Sequence, residues 1–426
     1  MSSHGRSAAA IAAREAAGIR VATRACGSSR SAPRVLYSAM PAGHLYIHVP
    51  FCARRCAYCD FSIAVRREPP VREYLAALRT ELSIRSGHHG AELPSNHVTR
   101  VFPRASLPFG SRLETLYFGG GTPSRLGAGG MRDLVDLVRD YYELEPNAEV
   151  TVEANPEDVT SDTIEAWVGA GINRLSLGVQ TFDDSVLEWM HRTHSASHAR
   201  NAFAQARQGG FSNISVDLIF AVPAKLGRSW HRDIGQVLAL EPDHISLYGL
   251  TAEPATPLAR WMSRGLVEAM PDDSYADEFL FAHDSATDAG FTHYEVSNFA
   301  KPGRVSRHNS AYWTESPYMG AGPSSHSFDG SSRSWNVAPY AEWVSRLAGG
   351  GGATDGVEKL TPANRVTEKI YLGLRTTKGL AFAGRDLETV RRWSAEGWAT
   401  IGGSMVRLTP EGWLRLDALA AGLTGL

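Results

Sequence analysis

The sequence predicts an α/β fold, in which β-strands and α-helices alternate along the chain. Three observations predict it: short apolar runs alternate with segments of helical periodicity, glycine and proline separate these segments, and the chain can bury a large core. Of its 426 residues, 43% are hydrophobic and 21% are charged, close to globular averages. Periodicity alone leaves two architectures open, an open doubly wound sheet and a partial barrel.

Six apolar runs of strand length are expected to form a parallel sheet covered by helices. The runs are Leu45–Val49, Thr115–Phe118, Val150–Ala154, Arg174–Gly178, Ser215–Phe220 and His244–Leu250. Apolar residues at helical spacing lie between them, for example after Pro69-Pro70 and before Gly209-Gly210.

The chain is expected to have three parts. Residues 1–44 are rich in Ala, Ser, Gly and Arg, which is typical of a disordered extension or of a targeting segment. Residues 45–348 contain the predicted sheet. A glycine run within 349–356 marks the expected boundary to a small domain at 357–426, whose predicted elements resemble a winged-helix module.

Charge and hydropathy disfavour two classes of function. The formal net charge is -2, so no cationic field attracts nucleic acid, and no nucleic-acid partner is expected. No run approaches the ~18 apolar residues that a transmembrane helix needs, so no integral membrane span is expected.

The cysteines indicate a metal centre. Cys52, Cys56 and Cys59 follow the first predicted strand as a C-x3-C-x2-C array, whereas Cys26 lies apart in the extension. A disulfide framework would spread its cysteines along the chain, so the array is typical of a metal site in a reducing compartment. Three thiolates on one loop can each bind one iron of a [4Fe-4S] cluster and leave the fourth iron open. Zinc is the alternative, and it would need a fourth ligand such as His48.

Polar residues at the ends of the other predicted strands are expected to line the same site. Glycines let backbone groups approach a ligand closely, carboxylates accept hydrogen bonds from ammonium and hydroxyl groups, and a guanidinium binds a carboxylate. The residues are Gly119, Gly120, Gly121, Thr122, Glu153, Asn155, Gln180, Arg192 and Asp217.

With this motif and these strand ends, the chain resembles the radical SAM superfamily. In that superfamily the C-x3-C-x2-C loop holds a [4Fe-4S] cluster, and the open iron binds the amino and carboxylate groups of S-adenosylmethionine. Electron transfer into the sulfonium then gives a 5′-deoxyadenosyl radical. The resemblance implies a partial (β/α)6 barrel with its site at the carboxyl ends of the strands.

Further segments are similar to the family of oxygen-independent coproporphyrinogen III oxidase, which has an oxidase branch and a haem-chaperone branch. The segments are Tyr46–Cys52, Phe118–Pro123, Glu153–Pro156, Ser176–Gln180 and Asp217–Ile219. By this resemblance the expected cofactor contacts are Tyr46, Gly119, Gly120, Thr122, Glu153, Gln180, Arg192 and Asp217.

Two features favour the haem-chaperone branch. Phe61 stands where the oxidase branch has a fourth cysteine, and His308–Trp313 matches the H-N-x-x-Y-W motif of the chaperones. His308 offers an imidazole nitrogen to iron, and Tyr312 and Trp313 offer flat apolar area to a porphyrin, so these residues are expected to contact haem. His308 as an ordinary hydrogen-bonding residue, and the chain as a decarboxylating oxidase, are the alternatives.

The resemblance implies a haem chaperone without coproporphyrinogen oxidase activity. Its expected partners are haem, an electron donor for the cluster, and a haem-accepting protein such as a respiratory enzyme. A cytoplasmic location is expected, or a mitochondrial one if residues 1–44 are a transit peptide. The sequence leaves the oligomeric state open, with a homodimer among the alternatives.

Overall fold

We describe residues 42–86 and 112–424 of the protein in a computed structural model. Cys26, the predicted extension up to residue 41 and the segment 87–111 lie outside the described residues. Within the described part, the α/β fold class is confirmed: a mostly parallel sheet with helices around it is followed by a small domain that has its own antiparallel sheet.

The strands are numbered along the chain. They are β1 (His44–Val49), β2 (Phe51–Cys52), β3 (Ala64–Val65), β4 (Arg112–Gly120), β5 (Glu143–Ala154), β6 (Arg174–Gln180), β7 (Ile214–Phe220), β8 (His244–Gly249), β9 (Thr292–Glu295), β10 (Asn298–Ala300), β11 (Met319–Ala321), β12 (His326–Phe328), β13 (Ser332–Asn336), β14 (Thr354–Lys359), β15 (Leu380–Ala381), β16 (Ala399–Gly402) and β17 (Met405–Leu408).

All six predicted strands are present in the main sheet. Within the described residues its order is β11-β1-β4-β5-β6-β7-β8-β10-β9, and β1, β4, β5, β6, β7 and β8 pair in parallel in chain order. This is the arrangement of a partial (β/α)6 barrel. Three short strands extend the sheet at its edges: β11 joins β1 in parallel, while the segment 292–300 folds back as the antiparallel pair β9 and β10.

Helices connect and cover the strands. They are α1 (Val71–Arg85), α2 (Gly127–Arg139), α3 (Ser161–Gly169), α4 (Asp184–Trp189), α5 (Ala196–Gln208), α6 (Trp230–Ala239), α7 (Pro257–Ser263), α8 (Asp272–Asp288), α9 (Arg307–Trp313), α10 (Tyr340–Ala348), α11 (Pro362–Arg375), α12 (Leu387–Ala395), α13 (Pro410–Trp413) and α14 (Leu416–Thr424). Across residues 42–86 and 112–424, no helix is both long and apolar enough to cross a membrane.

The interior of the barrel is polar. Side chains of a strand alternate between its two faces, so Leu45 and Ile47 of β1 pack in the apolar core while Tyr46 lies on the opposite face. The register then places Tyr46 beside Tyr117, and Thr151 beside Arg174. A row of polar side chains therefore crosses an interior that branched apolar residues fill in complete α/β barrels.

Helix α9 lies at the amino-terminal end of the barrel. The backbone amides of Arg307 and His308, in its first turn, donate hydrogen bonds of 2.9 Å to the two carboxylate oxygens of Glu149. A carboxylate at this position satisfies free amides and favours the helix dipole. Glu149 pairs with Thr115 early in β4, so α9 is far from the carboxyl ends of the parallel strands.

The carboxyl-terminal region has two small antiparallel sheets. Strand β14 begins within the predicted glycine-rich boundary and pairs with β13 in the sheet β12-β13-β14. Beyond it, α11, α12, α13 and α14 surround the sheet β15-β17-β16. Two short helices, α13 and α14, end the described part of the chain. A buried ion pair of 3.0 Å between Arg375 of α11 and Glu295 of β9 connects this region to the barrel.

Candidate functional site

A cavity opens at the carboxyl ends of the barrel strands. Because parallel strands present these ends at one edge, it brings together residues that are far apart in sequence. Eleven of the predicted site residues line it: Cys52, Cys56, Cys59, Gly120, Gly121, Thr122, Glu153, Asn155, Gln180, Arg192 and Asp217.

The cysteine loop is held from two sides. The amide of Ala57 donates a hydrogen bond of 3.1 Å to the carbonyl of Met190, just after α4. The carbonyl of Ala57 accepts one of 2.9 Å from the amide of Leu258 in α7. Short strands β2 and β3 pair at the two ends of the loop. These contacts fix the loop over the cavity.

The three thiols fit a cluster better than a single ion. Sγ of Cys52 lies 3.4 Å from Oγ1 of Thr122, and Nη1 of Arg192 donates to Sγ of Cys56 at 3.7 Å. Among the described residues, no three His, Cys, Asp or Glu side chains are arranged to bind one metal ion. The thiols nevertheless line one cavity, which suits iron atoms that each take one thiolate.

Burial disfavours the thiolate form of two of these cysteines. It raises the pKa of Cys52 to about 11 and that of Cys59 to about 12. Thiolates are the metal ligands, so loading the site releases protons, and the positive charge of iron compensates the cost of burying the anions.

Glu153 is a half-buried carboxyl at the end of β5. Its Oε1 accepts a hydrogen bond of 2.8 Å from the hydroxyl of Tyr117, and its Oε2 accepts one of 3.1 Å from the amide of Gly120. Burial raises its pKa to about 7, although both hydrogen bonds act in the opposite direction. A carboxylate in this position can receive an ammonium or hydroxyl group from a ligand in the cavity.

Three more predicted residues complete the polar wall. Asp217 accepts hydrogen bonds from the hydroxyl of Ser176 at 3.0 and 3.2 Å, and burial raises its pKa. Gln180 has a φ of 69°, a conformation that is uncommon without glycine, where the register between β6 and β7 shifts. Arg192 donates to the Asn155 side chain at 2.6 Å.

The glycine turn has a different role at each position. A Cβ on Gly119 would lie 2.8 Å from the ring of Tyr46 and 3.1 Å from Oε1 of Glu153, so this glycine allows side chains to pack beneath the cavity. Gly120 lines the cavity and has a φ of 116°, where a Cβ would lie 2.6 Å from the ring of His48. The close approach of a ligand to the backbone, which was expected at both glycines, therefore applies to Gly120, whereas Gly119 is needed for packing.

Five predicted contacts do not line the cavity: Tyr46, Gly119, His308, Tyr312 and Trp313. Tyr46 lies beneath it, stacked on Tyr117 with ring centroids 6.1 Å apart. His308 is 1% exposed, and its ring stacks on that of Tyr117, with ring centroids 5.0 Å apart. Trp313 is buried under the guanidinium of Arg375, 4.3 Å above its ring.

Both ring nitrogens of His308 already have partners. Nδ1 is hydrogen-bonded to Oγ1 of Thr115 at 2.7 Å, and Nε2 to the hydroxyl of Tyr312 at 2.9 Å. Iron ligation by His308 therefore requires one of these bonds to break and α9 to open. The structure places this motif and the cysteines at opposite ends of the barrel.

Sequence reasoning missed several residues that line the cavity, among them Arg54, Tyr117 and His191. Tyr117 had a detectable signal, since Thr115, Tyr117 and Gly119 alternate with apolar residues and therefore share the inner face of β4. Arg54 and His191 have no such pattern. Their positions depend on how the cysteine loop meets the end of α4.

The barrel, the cysteine loop and the cavity define a radical SAM protein, and residues 46–226 match the family model described as the Radical SAM superfamily. The chain is 33% identical to the heme chaperone HemW of Bacillus subtilis over 79% of this chain and 84% of the relative. It is 35% identical to that of Mycobacterium tuberculosis, over 89% and 94%. The chain therefore belongs to the HemW family, as the sequence predicted.

Two other comparisons extend this result. A mouse relative, radical S-adenosyl methionine domain-containing protein 1, mitochondrial, is 33% identical over 80% of this chain and 75% of its own length. The solved structure of coproporphyrinogen III oxidase (HemN) from Escherichia coli aligns with a TM-score of 0.73 at 21% identity, covering 90% of this chain and 91% of that chain. The second likeness confirms the fold.

Proposed function

We propose that this protein is a haem chaperone that binds haem and delivers it to an acceptor haem protein, and that it holds a [4Fe-4S] cluster and S-adenosylmethionine. The observation that carries the cofactor part is the cavity itself, which is lined both by three cysteine thiols and by half-buried polar residues. Membership of a family whose curated relatives are named heme chaperones supports the haem part.

The cysteines Cys52, Cys56 and Cys59 would hold the cluster, which supplies an electron to a bound sulfonium. The chain's own groups bind and orient the second cofactor. Glu153, when ionised, accepts hydrogen bonds from an ammonium or a hydroxyl group, and the backbone of Gly120 permits close approach. Asp217, Gln180 and Arg192 supply the remaining polar contacts on the same wall.

The oxidase alternative is disfavoured by Phe61. This residue lines the cavity, where the oxidase branch has a fourth cysteine. A phenyl ring neither binds iron nor transfers a proton. We infer that the chain does not decarboxylate coproporphyrinogen, although its fold is that of the oxidase.

The haem contact predicted from sequence is the segment His308–Trp313. Its aromatic side chains and imidazole suit haem chemically, and access to them requires α9 to open. The double variant His308→Ala, Trp313→Ala tests this contact, with circular dichroism to verify folding. Weaker haem binding with unchanged binding of S-adenosylmethionine would support it, and unchanged haem binding would reject the segment.

The proposed partners are haem, a haem-accepting protein such as a respiratory enzyme, and an electron donor. The proposed location is the cytoplasm, with the mitochondrion as the alternative if residues 1–44 are a targeting segment. The name of the mouse relative fits the alternative.

The choice between chaperone and oxidase is tested with anaerobically reconstituted protein. It is supplied with a reductant, S-adenosylmethionine and coproporphyrinogen III, and haem binding is measured on the same preparation. We expect haem to bind without formation of protoporphyrinogen. Protoporphyrinogen formation over many turnovers would reject the chaperone.

A further inference from the structure

His191 occupies a backbone position that normally belongs to glycine. Helix α4 ends at Trp189, Met190 follows as its cap, and His191 has a φ of 63°. The amide of Arg192 then bonds back to the carbonyl of Leu187 at 2.8 Å, as in a Schellman motif. Glycine is favoured at this position because it has no Cβ, so histidine here costs conformational free energy that its side chain must offset.

The imidazole of His191 lines the cavity and is free to bind a ligand. In the described residues, no hydrogen-bond partner of its ring nitrogens is present, and the ring is partly exposed. It contacts the indole of Trp261 on α7, with ring centroids 5.7 Å apart and planes at 81°. Trp189 extends this aromatic surface at 5.7 Å from Trp261.

A cation lies on the same side of the cavity. The guanidinium of Arg54 is exposed, lines the cavity and donates a hydrogen bond to the carbonyl of Arg192, the residue after His191. The wall of the cavity therefore combines an imidazole and a guanidinium, and two partly buried indoles lie behind the imidazole without lining the cavity themselves.

We propose that haem binds at the mouth of the cavity, with the imidazole of His191 as an axial iron ligand, the porphyrin face on Trp261, and a propionate at Arg54. This inference rests on the proposed function and assigns the cargo a site that needs no opening of α9. An axial imidazole stands upright on a porphyrin, and an indole packed flat on the same face is then perpendicular to it. The observed angle of 81° between the two rings meets that requirement.

The site matches haem in all three of its chemical parts. Iron takes a neutral imidazole nitrogen, the apolar macrocycle takes aromatic faces, and the carboxylate takes a guanidinium. By contrast, His308 is 1% exposed and has both nitrogens hydrogen-bonded. Haem at the mouth would also lie beside the cysteine loop, because Arg54 is part of that loop.

The test uses the variant His191→Gly in the full chain with its cluster reconstituted. Glycine is the residue that this backbone conformation favours, so the variant removes the imidazole without straining the turn. The matched control is His198→Ala, which removes an exposed histidine from the neighbouring helix α5. Ferric haem is titrated anaerobically into each protein, and the absorbance of the same protein without haem is subtracted.

We expect haem affinity to fall about tenfold or more in His191→Gly, with loss of the spectrum of histidine-ligated iron. Added imidazole should restore that spectrum, while His198→Ala and S-adenosylmethionine affinity should stay as in the wild type. Equal affinity and an identical spectrum in His191→Gly would overturn the mouth site. Absence of haem binding in the wild type would instead overturn the proposed function.

Discussion

The hydroxyl of Tyr117 donates a hydrogen bond of 2.8 Å to Oε1 of Glu153, near the floor of the cofactor cavity. The ring of the same tyrosine stacks on His308, which lies in the helix at the opposite end of the barrel. One aromatic side chain thus contacts both the predicted cofactor carboxylate and the predicted haem motif. Polar side chains of the barrel interior therefore lie between the cavity carboxylate, Glu153, and the motif that contains His308.

The first prediction concerns pH. Burial raises the pKa of Glu153 to about 7. The nearby charge of Asp217 acts in the same direction, whereas Tyr117, the amide of Gly120 and Arg174 lower the pKa. The ionised form of Glu153, which we propose receives S-adenosylmethionine, predominates above about pH 7. We expect affinity for S-adenosylmethionine to fall about tenfold between pH 8 and pH 6, since protonation of one required carboxylate removes the binding form.

Calorimetric titration across this range checks the prediction. Glu153→Gln, which has no proton to lose, should bind more weakly at pH 8 and show little of the pH dependence. Equal pH profiles for the wild type and this variant would mean that another group controls binding.

The second prediction separates packing from ligand approach in the glycine turn. Gly119→Ala brings a Cβ within 2.8 Å of Tyr46, so the free energy of unfolding should decrease by about 1–3 kcal/mol. The matched control is Gly129→Ala in α2, where nothing lies within 4 Å of the added Cβ. That change should stabilise the protein by about 0.5–1 kcal/mol. Denaturant unfolding measures both, and equal effects would contradict the packing role of Gly119.

The third prediction concerns His308. His308→Ala would remove the buried hydrogen bonds to Thr115 and Tyr312 and open a cavity beside Tyr117, so stability should decrease by about 2–5 kcal/mol. Thr115 would keep its second hydrogen bond, of 2.9 Å, to the ring of His44. His198→Ala, at an exposed position, should change it by less than about 0.5 kcal/mol. Similar unfolding midpoints for the two variants would show that His308 is not part of the core.

The fourth prediction concerns the cluster ligands. Replacement of Cys52, Cys56 or Cys59 by alanine should abolish the iron and sulfide content after reconstitution, because each thiolate binds a different iron. Cys26→Ala should retain it. Loss of iron in Cys26→Ala together with retention in Cys56→Ala would reverse the assignment.

The local sequence pattern was sufficient to predict the six central strands and most of the residues that line the cavity. Each strand has an apolar face of its own, and parallel pairing brings the carboxyl ends of all six to one edge, so Glu153 and Asp217 could be assigned to one site from sequence. The edge strands were not detectable in this way. β11 is three residues long, and β9 and β10 are defined by a turn at Val296–Ser297.

The positions of His308 and His191 depend on contacts distant in sequence. The motif around His308 was recognised, yet its burial arises from Glu149 and Thr115, more than 150 residues away. The spacing of His191, His194 and His198 indicated solvent or capping roles, and the left-handed position of His191 after a short helix is one where glycine is expected. Its position on the cavity wall depends on the cysteine loop and on α7, which pack beside it.

The most direct test of the proposed function is an equilibrium titration of ferric haem into the wild-type protein with its cluster and S-adenosylmethionine present. If the protein is a haem chaperone, absorbance should saturate at about one haem per chain, with the spectrum of histidine-ligated iron and an unchanged iron–sulfur content. Haem that binds without saturation, or does not bind at all, would contradict that function.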